Sequence, residues 1–191
     1  MTNDSIRLFV AAALPEGIKQ NLLTRLTAFT HPAIRFVPSA NLHLTLYFIG
    51  NVSQDQLPGI SEKIKTITQQ HLAFILSLER LEPGPTARTP RLVWARFNVS
   101  RLFEQLQHDL ATALAPKPPE KQKAIPHVTL ARYRKSEKHI PAFAPVLPPE
   151  QLLLPVNEVS LWQSELASPH PVYSILDSWP LLQNPGPANK V

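Results

Sequence analysis

The sequence predicts an α+β fold built from two related halves, and two observations indicate it. A strand–helix–strand succession occurs once before and once after a proline-rich loop at residues 82–90. A His-x-Thr-x tetrapeptide lies within a predicted strand of each half, at 43–46 and at 127–130. We expect each half to form an antiparallel sheet with its helices outside, because an apolar sheet face needs a second layer to cover it.

The first half contains short apolar runs, which favour strands, and longer stretches with apolar residues three or four apart, which favour helices. Gly50 and Asn51 are expected to end the strand that carries the first tetrapeptide. Ser53 with Gln56 resembles a capping box at the start of a helix. The predicted elements are strands at residues 6–12, 34–37, 42–49 and 74–78, and helices at 15–29 and 53–67.

The second half follows the same plan, with Ser100 as the expected N-cap of its helix. We predict one domain over residues 1–183, with the seam between its halves near 82–90, and a flexible tail at 184–191. The predicted elements are strands at 92–97, 125–133, 156–166 and 172–179, a helix at 100–114, and loops at 115–123 and 135–149.

Composition excludes several classes of site. The 191 residues include no cysteine, which excludes disulfides, thiolate metal sites and cysteine nucleophiles, and only 5 glycines, too few for a phosphate-binding glycine loop. The net charge of +5 favours anionic partners such as RNA. With no signal sequence and no run of about 18 apolar residues, a soluble, cytoplasmic protein is expected.

The two tetrapeptides carry the chemistry. Side chains alternate along a strand, so His43 and Thr45 share one face, and His127 and Thr129 share the corresponding face. An imidazole has a pKa near 6.5, so one neutral and one protonated copy can serve as base and acid on a phosphodiester without a metal. The threonine hydroxyls would donate to non-bridging phosphate oxygens. The residues alone leave open which imidazole is the acid.

A metal site is the main alternative for these histidines. No His-Glu-x-x-His or His-x-His pattern occurs, and neither tetrapeptide contains a carboxylate, so no metal is expected. The remaining histidines lie in predicted turns, helices and proline-rich loops and are interpreted as structural: His31, His71, His108, His139 and His170.

At these residues the sequence resembles the two-histidine phosphoesterase superfamily, and within it the LigT-like RNA 2',3'-cyclic phosphodiesterase family, also called 2'-5' RNA ligase. The likeness extends over most of the chain. It includes Arg7–Ala11, Asn41–Leu46, Phe48–Gly50, Arg91–Trp94, Pro126–Arg132 and Glu158–Leu161.

The resemblance implies a bilobal fold around a central cleft and hydrolysis of a 2',3'-cyclic phosphate at an RNA end to a 2'-phosphate, with no cofactor. It implies His43 as general acid toward O3' and His127 as general base on water. The residues that it implies for substrate binding are Thr45, Thr129, Arg132 and Phe9.

The implied binding roles of Phe9 and Arg132 each depend on where the strand directs the side chain. Phe9 resembles an aromatic residue that stacks on a base in relatives, but it lies in a strand and could equally belong to the core. By strict alternation Arg132 faces away from His127, so a role at the phosphate requires a bulge or twist at the strand end.

Three other functions stay open at this point. The same groups would support ATP-independent 2'-5' RNA ligation, the reverse reaction. The chain could be a non-catalytic module that binds RNA or nucleotides, or an enzyme for small cyclic nucleotides or cyclised ADP-ribose. The expected partners are RNA 3' ends or nucleotides with a 2',3'-cyclic phosphate, bound by a monomer away from membranes.

Overall fold

The predicted α+β class is confirmed by the computed structural model, which describes residues 5–86, 89–116, 124–134 and 142–183. Three helices in these ranges are α1 (Glu16–Leu26), α2 (Leu57–Thr68) and α3 (Arg101–Leu114). The strands are β1 (Ser5–Ala13), β2 (Ile34–Phe36), β3 (His43–Ser53), β4 (Phe74–Gly84), β5 (Leu92–Phe97), β6 (His127–Tyr133), β7 (Leu153–Val156), β8 (Glu158–Glu165) and β9 (Val172–Pro180).

The strands form a curved path of antiparallel pairs in the order β7-β4-β5-β6-β3-β1-β8-β9, with β2 paired to β6. In the described part of the chain, β3 and β6 pair at one position, Leu44 opposite Val128. This position divides the path into a first half sheet (β3, β1, β8, β9) and a second half sheet (β6, β5, β4, β7). Leu44 and Val128 are both fully buried in a single core that extends under both half sheets.

Helix burial follows the apolar spacing. Leu22 of α1, Ile64 of α2 and Leu106 of α3 are fully buried in that core. Ser100 caps α3 as predicted, because its hydroxyl oxygen accepts a hydrogen bond from the backbone N–H of Phe103 at 3.4 Å. None of the helices in the described ranges is long and apolar enough to cross a membrane.

The two tetrapeptide strands contain the same irregularity at the same place. Against β1, strand β3 pairs Thr45 and then Tyr47, which leaves Leu46 as an extra residue. Against β5, strand β6 pairs Thr129 and then Ala131, which leaves Leu130 extra. A bulge of this kind shifts the alternation of side chains by one residue. After the extra residue, the side chains of each strand therefore point to the face opposite to the one that strict alternation would give them.

Strand membership differs from the predicted halves. Strand β4, expected in the first half, pairs with β5 from Leu78 to Gly84, so residues 85–91 connect two neighbouring strands of the second half sheet. The prediction that Glu82 lies in a loop is wrong, because β4 extends to Gly84 and pairs Glu82 with Trp94 of β5. The closing strands β8 and β9, expected in the second half, extend the first half sheet through β1.

Three local predictions near the strand ends are wrong. Gly50 does not end β3, because the strand continues to Ser53. Gly50 adopts a φ of 90° within the strand. The capping box is not formed, because Ser53 makes no capping hydrogen bond and α2 begins at Leu57. Strand β7, which pairs with β4, was missed. The predicted tail at 184–191 lies outside the described residues.

Candidate active site

A cavity of about 280 Å³ opens on the face of the sheet opposite Leu44 and Val128. It lies where the two half sheets meet, so both tetrapeptides contribute to its wall. Its lining residues are Arg35, Val37, Asn41, His43, Thr45, Phe48, Leu92, His127, Thr129, Arg132, His170, Pro171 and Tyr173.

The strand register explains why both histidines reach one cavity. With Leu44 opposite Val128 in an antiparallel pair, residue 43 lies beside residue 129 and residue 45 beside residue 127. Because the buried pair anchors the opposite face in the core, these four side chains point into the cavity. Each imidazole is thus a neighbour of the threonine from the other half sheet.

Both imidazoles are oriented by the same contact. Nδ1 of His43 lies 2.8 Å from the carbonyl oxygen of Asn41, and Nδ1 of His127 lies 2.8 Å from the carbonyl oxygen of Ile125. A carbonyl only accepts, so Nδ1 carries the hydrogen in both rings. Nε2 is then the nitrogen left for a ligand. In each half the acceptor belongs to the residue two positions before the histidine.

Burial makes both imidazoles weak bases. The pKa of His43 is lowered to about 4, mainly because burial removes solvent from the ring and also because of the charges of Arg132 and His127; the hydrogen bond to Asn41 opposes this effect. Burial also lowers the pKa of His127 below its usual 6.5. Both rings are therefore neutral at pH 7 in the empty cavity. A bound anion would favour their protonated forms.

Phe9 does not occupy the position predicted for it. The ring is only 2% exposed and does not line the cavity, so a base has no access to its face. It packs instead behind His43, with ring centroids 4.9 Å apart, and against Trp162 at 5.8 Å. The prediction that Phe9 stacks on substrate is wrong. Its ring contributes to the apolar surroundings that bury His43.

Phe48 is the aromatic side chain exposed at the cavity, and sequence reasoning missed it. Its ring is 63% exposed and lines the cavity wall. The bulge at Leu46 turns it to this face, while Tyr47 packs against the core. The spacing in the sequence could have indicated it, because Phe48 lies five residues after His43, just as Arg132 lies five residues after His127.

Arg132 reaches the cavity through the bulge that its predicted role required. The extra residue Leu130 turns Ala131 into the core and Arg132 toward the cavity, on the side of His127 and Thr129. Five of the six predicted site residues therefore line one cavity: His43, His127, Thr45, Thr129 and Arg132.

One wall comes from the segment before β9, which sequence reasoning did not connect with the site. The Asn41 side-chain amide donates to the carbonyl oxygen of Pro171 at 2.8 Å, and Arg35 Nη1 donates to that of Pro169 at 2.5 Å. These bonds hold His170 at the cavity wall, a position that its interpretation as a structural loop residue did not anticipate. The segment is more than 120 residues from His43, a separation that no local pattern reveals.

The described residues contain no group of three or more histidine, cysteine, aspartate or glutamate side chains arranged to hold a metal ion. The titratable groups of the cavity wall are three histidines, two arginines and one tyrosine: His43, His127, His170, Arg35, Arg132 and Tyr173. The donors facing the cavity are therefore imidazole, hydroxyl and guanidinium groups, which suit a phosphate.

Comparison with known proteins identifies the family. The model of the 2'-5' RNA ligase superfamily matches residues 14–167. The chain belongs to this superfamily. A Thermus thermophilus protein named RNA 2',3'-cyclic phosphodiesterase is 31% identical over 186 residues, which cover 92% of this chain and 90% of that protein.

Solved structures share the fold. The match to a crystal structure of a Thermus thermophilus protein has a TM-score of 0.81 and a sequence identity of 29%. It covers 92% of this chain and 98% of the chain in that structure. The match to the structure of E. coli LigT complexed with 3'-AMP has a TM-score of 0.76 and a sequence identity of 30%. It covers 94% of this chain and 99% of the LigT chain. The order and pairing of the strands are thus those of a LigT-like protein.

The two imidazoles should titrate abnormally. We expect NMR titration to show His43 with a midpoint near pH 4 and His127 with a midpoint below 6.5, both as the Nδ1–H tautomer when neutral. Inorganic phosphate should raise both midpoints, since an anion stabilises imidazolium. The same rings in urea-unfolded protein provide the reference near 6.5. A His43 midpoint at or above 6.5 in the folded protein would contradict the described burial.

Proposed function

We propose that this protein is a metal-independent RNA 2',3'-cyclic phosphodiesterase, which hydrolyses the cyclic phosphate at an RNA 3' end to a 2'-phosphate. One observation carries the proposal. Two imidazoles from separate half sheets each donate Nδ1–H to a backbone carbonyl and leave Nε2 in a common cavity. General acid–base attack at phosphorus needs two such nitrogens, held in fixed tautomers.

The reaction uses one nitrogen for each proton transfer. His127 Nε2 takes a proton from water as the water oxygen attacks phosphorus. The bond from phosphorus to O3' breaks, and O3' takes a proton from His43 Nε2, which yields a 2'-phosphate and a free 3'-hydroxyl. Exchange with solvent then returns each imidazole to its starting state. The assignment of His43 as acid follows the resemblance to the family.

The burial of His43 suits an acid that works only when substrate is bound. Its pKa of about 4 keeps the ring neutral in the empty cavity. The negative charge of a bound phosphate raises that pKa, so proton uptake accompanies binding. The resulting imidazolium can then donate its Nε2 proton to the departing O3'.

The remaining cavity groups fit the phosphate itself. Thr45 and Thr129 carry hydroxyls beside the opposite imidazole, where they would donate to the two non-bridging oxygens. Arg132 adds a guanidinium at the same wall. The Thermus thermophilus relative named for this activity and the LigT complex with 3'-AMP support an RNA end as the substrate.

We expect purified protein to hydrolyse an oligoribonucleotide with a 2',3'-cyclic phosphate equally well in excess EDTA and in magnesium. His43→Ala and His127→Ala should each lower kcat by at least about 100-fold, because each removes one proton transfer. His108→Ala is the matched control, since His108 is exposed on α3 and outside the cavity.

Product analysis decides the outcome. Release of a 2'-phosphate by the parent protein and the control, but not by the two variants, is the expected result. Near-full activity of either variant would remove that histidine from the mechanism. Joined RNA without ATP, in place of hydrolysed ends, would overturn the hydrolytic assignment.

Phe48 is positioned to contact the base of the terminal nucleotide. Stacking of one base on an aromatic ring contributes about 1–3 kcal/mol, so Phe48→Ala should raise KM by about 5- to 150-fold with a smaller change in kcat. Phe48→Tyr retains the ring and should retain KM. Ile75→Ala, at an exposed apolar side chain of β4 away from the cavity, is the control. Unchanged KM in Phe48→Ala would exclude this contact.

A further inference from the structure

Two arginines face each other at one end of the cavity. In the antiparallel register of β2 and β6, Arg35 lies directly opposite Arg132, and both side chains line the cavity. Like charges in directly opposed positions destabilise a sheet. In the described part of the chain neither guanidinium forms an ion pair with a carboxylate, and no acidic residue lines the cavity. Such a pair is best compensated by an anionic ligand.

The charges of the cavity wall favour more than one anionic group. Arg35 and Arg132 give the cavity wall two positive charges, while burial lowers the pKa of His43, His127 and His170. A 2',3'-cyclic phosphate is a diester with a single negative charge. It therefore offsets only one positive charge, while the wall carries the two guanidinium charges and, once substrate is bound, the imidazolium of His43.

Arg35 is also displaced from the histidines. By the register of β3 with β6, His43 lies beside residue 129, whereas Arg35 lies opposite Arg132. These two positions of β6 are three residues apart, about 10 Å in a regular strand and less here because Leu130 is an extra residue. Arg35 therefore extends the cationic wall beyond the catalytic phosphate, with Arg132 between the two.

The Arg35 side chain is fixed in this position. Nη1 donates to the carbonyl oxygen of Pro169 at 2.5 Å, which orients the guanidinium and leaves its other N–H groups for a ligand. His170 beside it has its pKa lowered by burial and by the charge of Arg35, so it remains a neutral neighbour. A fixed guanidinium binds phosphate oxygens with little loss of side-chain freedom.

We propose that Arg35, next to Arg132, forms a second phosphate subsite that binds the phosphate attached to O5' of the terminal ribose. This inference rests on the proposed function and specifies its substrate class. The preferred substrate carries two phosphates on one ribose: the cyclic phosphate between the histidines and a second phosphate on the 5' side. An RNA chain supplies that second group as a phosphodiester, and a 5'-phosphorylated mononucleotide supplies it as a monoester.

The test compares three substrates that differ on the 5' side: adenosine 2',3'-cyclic phosphate, its 5'-phosphorylated form, and the dinucleotide ApA with a terminal 2',3'-cyclic phosphate. We expect kcat/KM to rise by about tenfold or more with the second phosphate, mainly through KM, since a charged hydrogen bond outside the reacting bonds contributes mostly to binding. The dinucleotide and the 5'-monoester arms identify which source of phosphate the subsite prefers.

Arg35→Gln should reduce that preference to about one- to twofold, and Arg35→Glu should reverse it. The matched control is Arg134→Gln, which removes the same charge from an exposed arginine that also donates to a backbone carbonyl, that of Pro32, but lies outside the cavity. This control should retain the full preference. Thermal unfolding of each variant reports whether the fold is kept.

The outcomes separate the two proposals. Equal kcat/KM for all three substrates, or a preference that survives in Arg35→Gln, would overturn the second subsite and leave the phosphodiesterase intact. An equal loss on all three substrates in Arg35→Gln would make Arg35 a structural residue and also overturn the subsite. Failure of the parent protein to hydrolyse any of them would overturn both proposals.

Discussion

The site depends on the pairing of Leu44 with Val128, the position where the described strands of the two half sheets meet. Both side chains are fully buried, so the pair is held by the core and not by surface contacts. Because neighbouring residues on each strand alternate in direction, this buried pair sets two imidazoles and two hydroxyls on the opposite face. A shift of one residue would turn all four side chains into the core.

The bulges after the two tetrapeptides turn two further side chains toward the cavity, which regular strands could not do. Without them Tyr47 and Ala131 would continue the histidine face, and Phe48 and Arg132 would point away from the cavity. With them, Phe48 and Arg132 occupy equivalent positions in the two half sheets, and the cavity becomes asymmetric. One half sheet presents an aromatic ring and the other a guanidinium, an asymmetry that suits the unsymmetrical RNA end proposed as substrate.

The sequence predicted the helices, the tetrapeptide strands and five of the cavity residues because each depends on short-range patterns. Alternation placed His43 with Thr45, and apolar spacing placed Leu106 in the core. Phe9 was misassigned because an apolar residue in a strand has the same local pattern whether it faces core or ligand. The contribution of Arg35 depends on its pairing with β6, nearly 100 residues away, and no local pattern encodes such a contact.

The exchange of strands between the halves was equally beyond local reasoning. Strand β4 follows the first tetrapeptide in the chain but pairs with β5, and β8 completes the first half sheet from the other end of the sequence. Such pairings are decided by which sheet edge each apolar strand can cover, a property of the assembled fold. This exchange also brings the segment of Pro169 and Pro171 to the cavity, where Arg35 and Asn41 bind it.

The most direct test of the central claim is a crystal structure of the protein with a 2'-phosphorylated nucleotide bound. We expect Nε2 of His43 and Nε2 of His127 each within about 2.6–3.2 Å of a phosphate oxygen, on opposite sides of the same phosphorus atom. A phosphate bound by the arginines alone, with either Nε2 out of hydrogen-bond reach, would contradict the account.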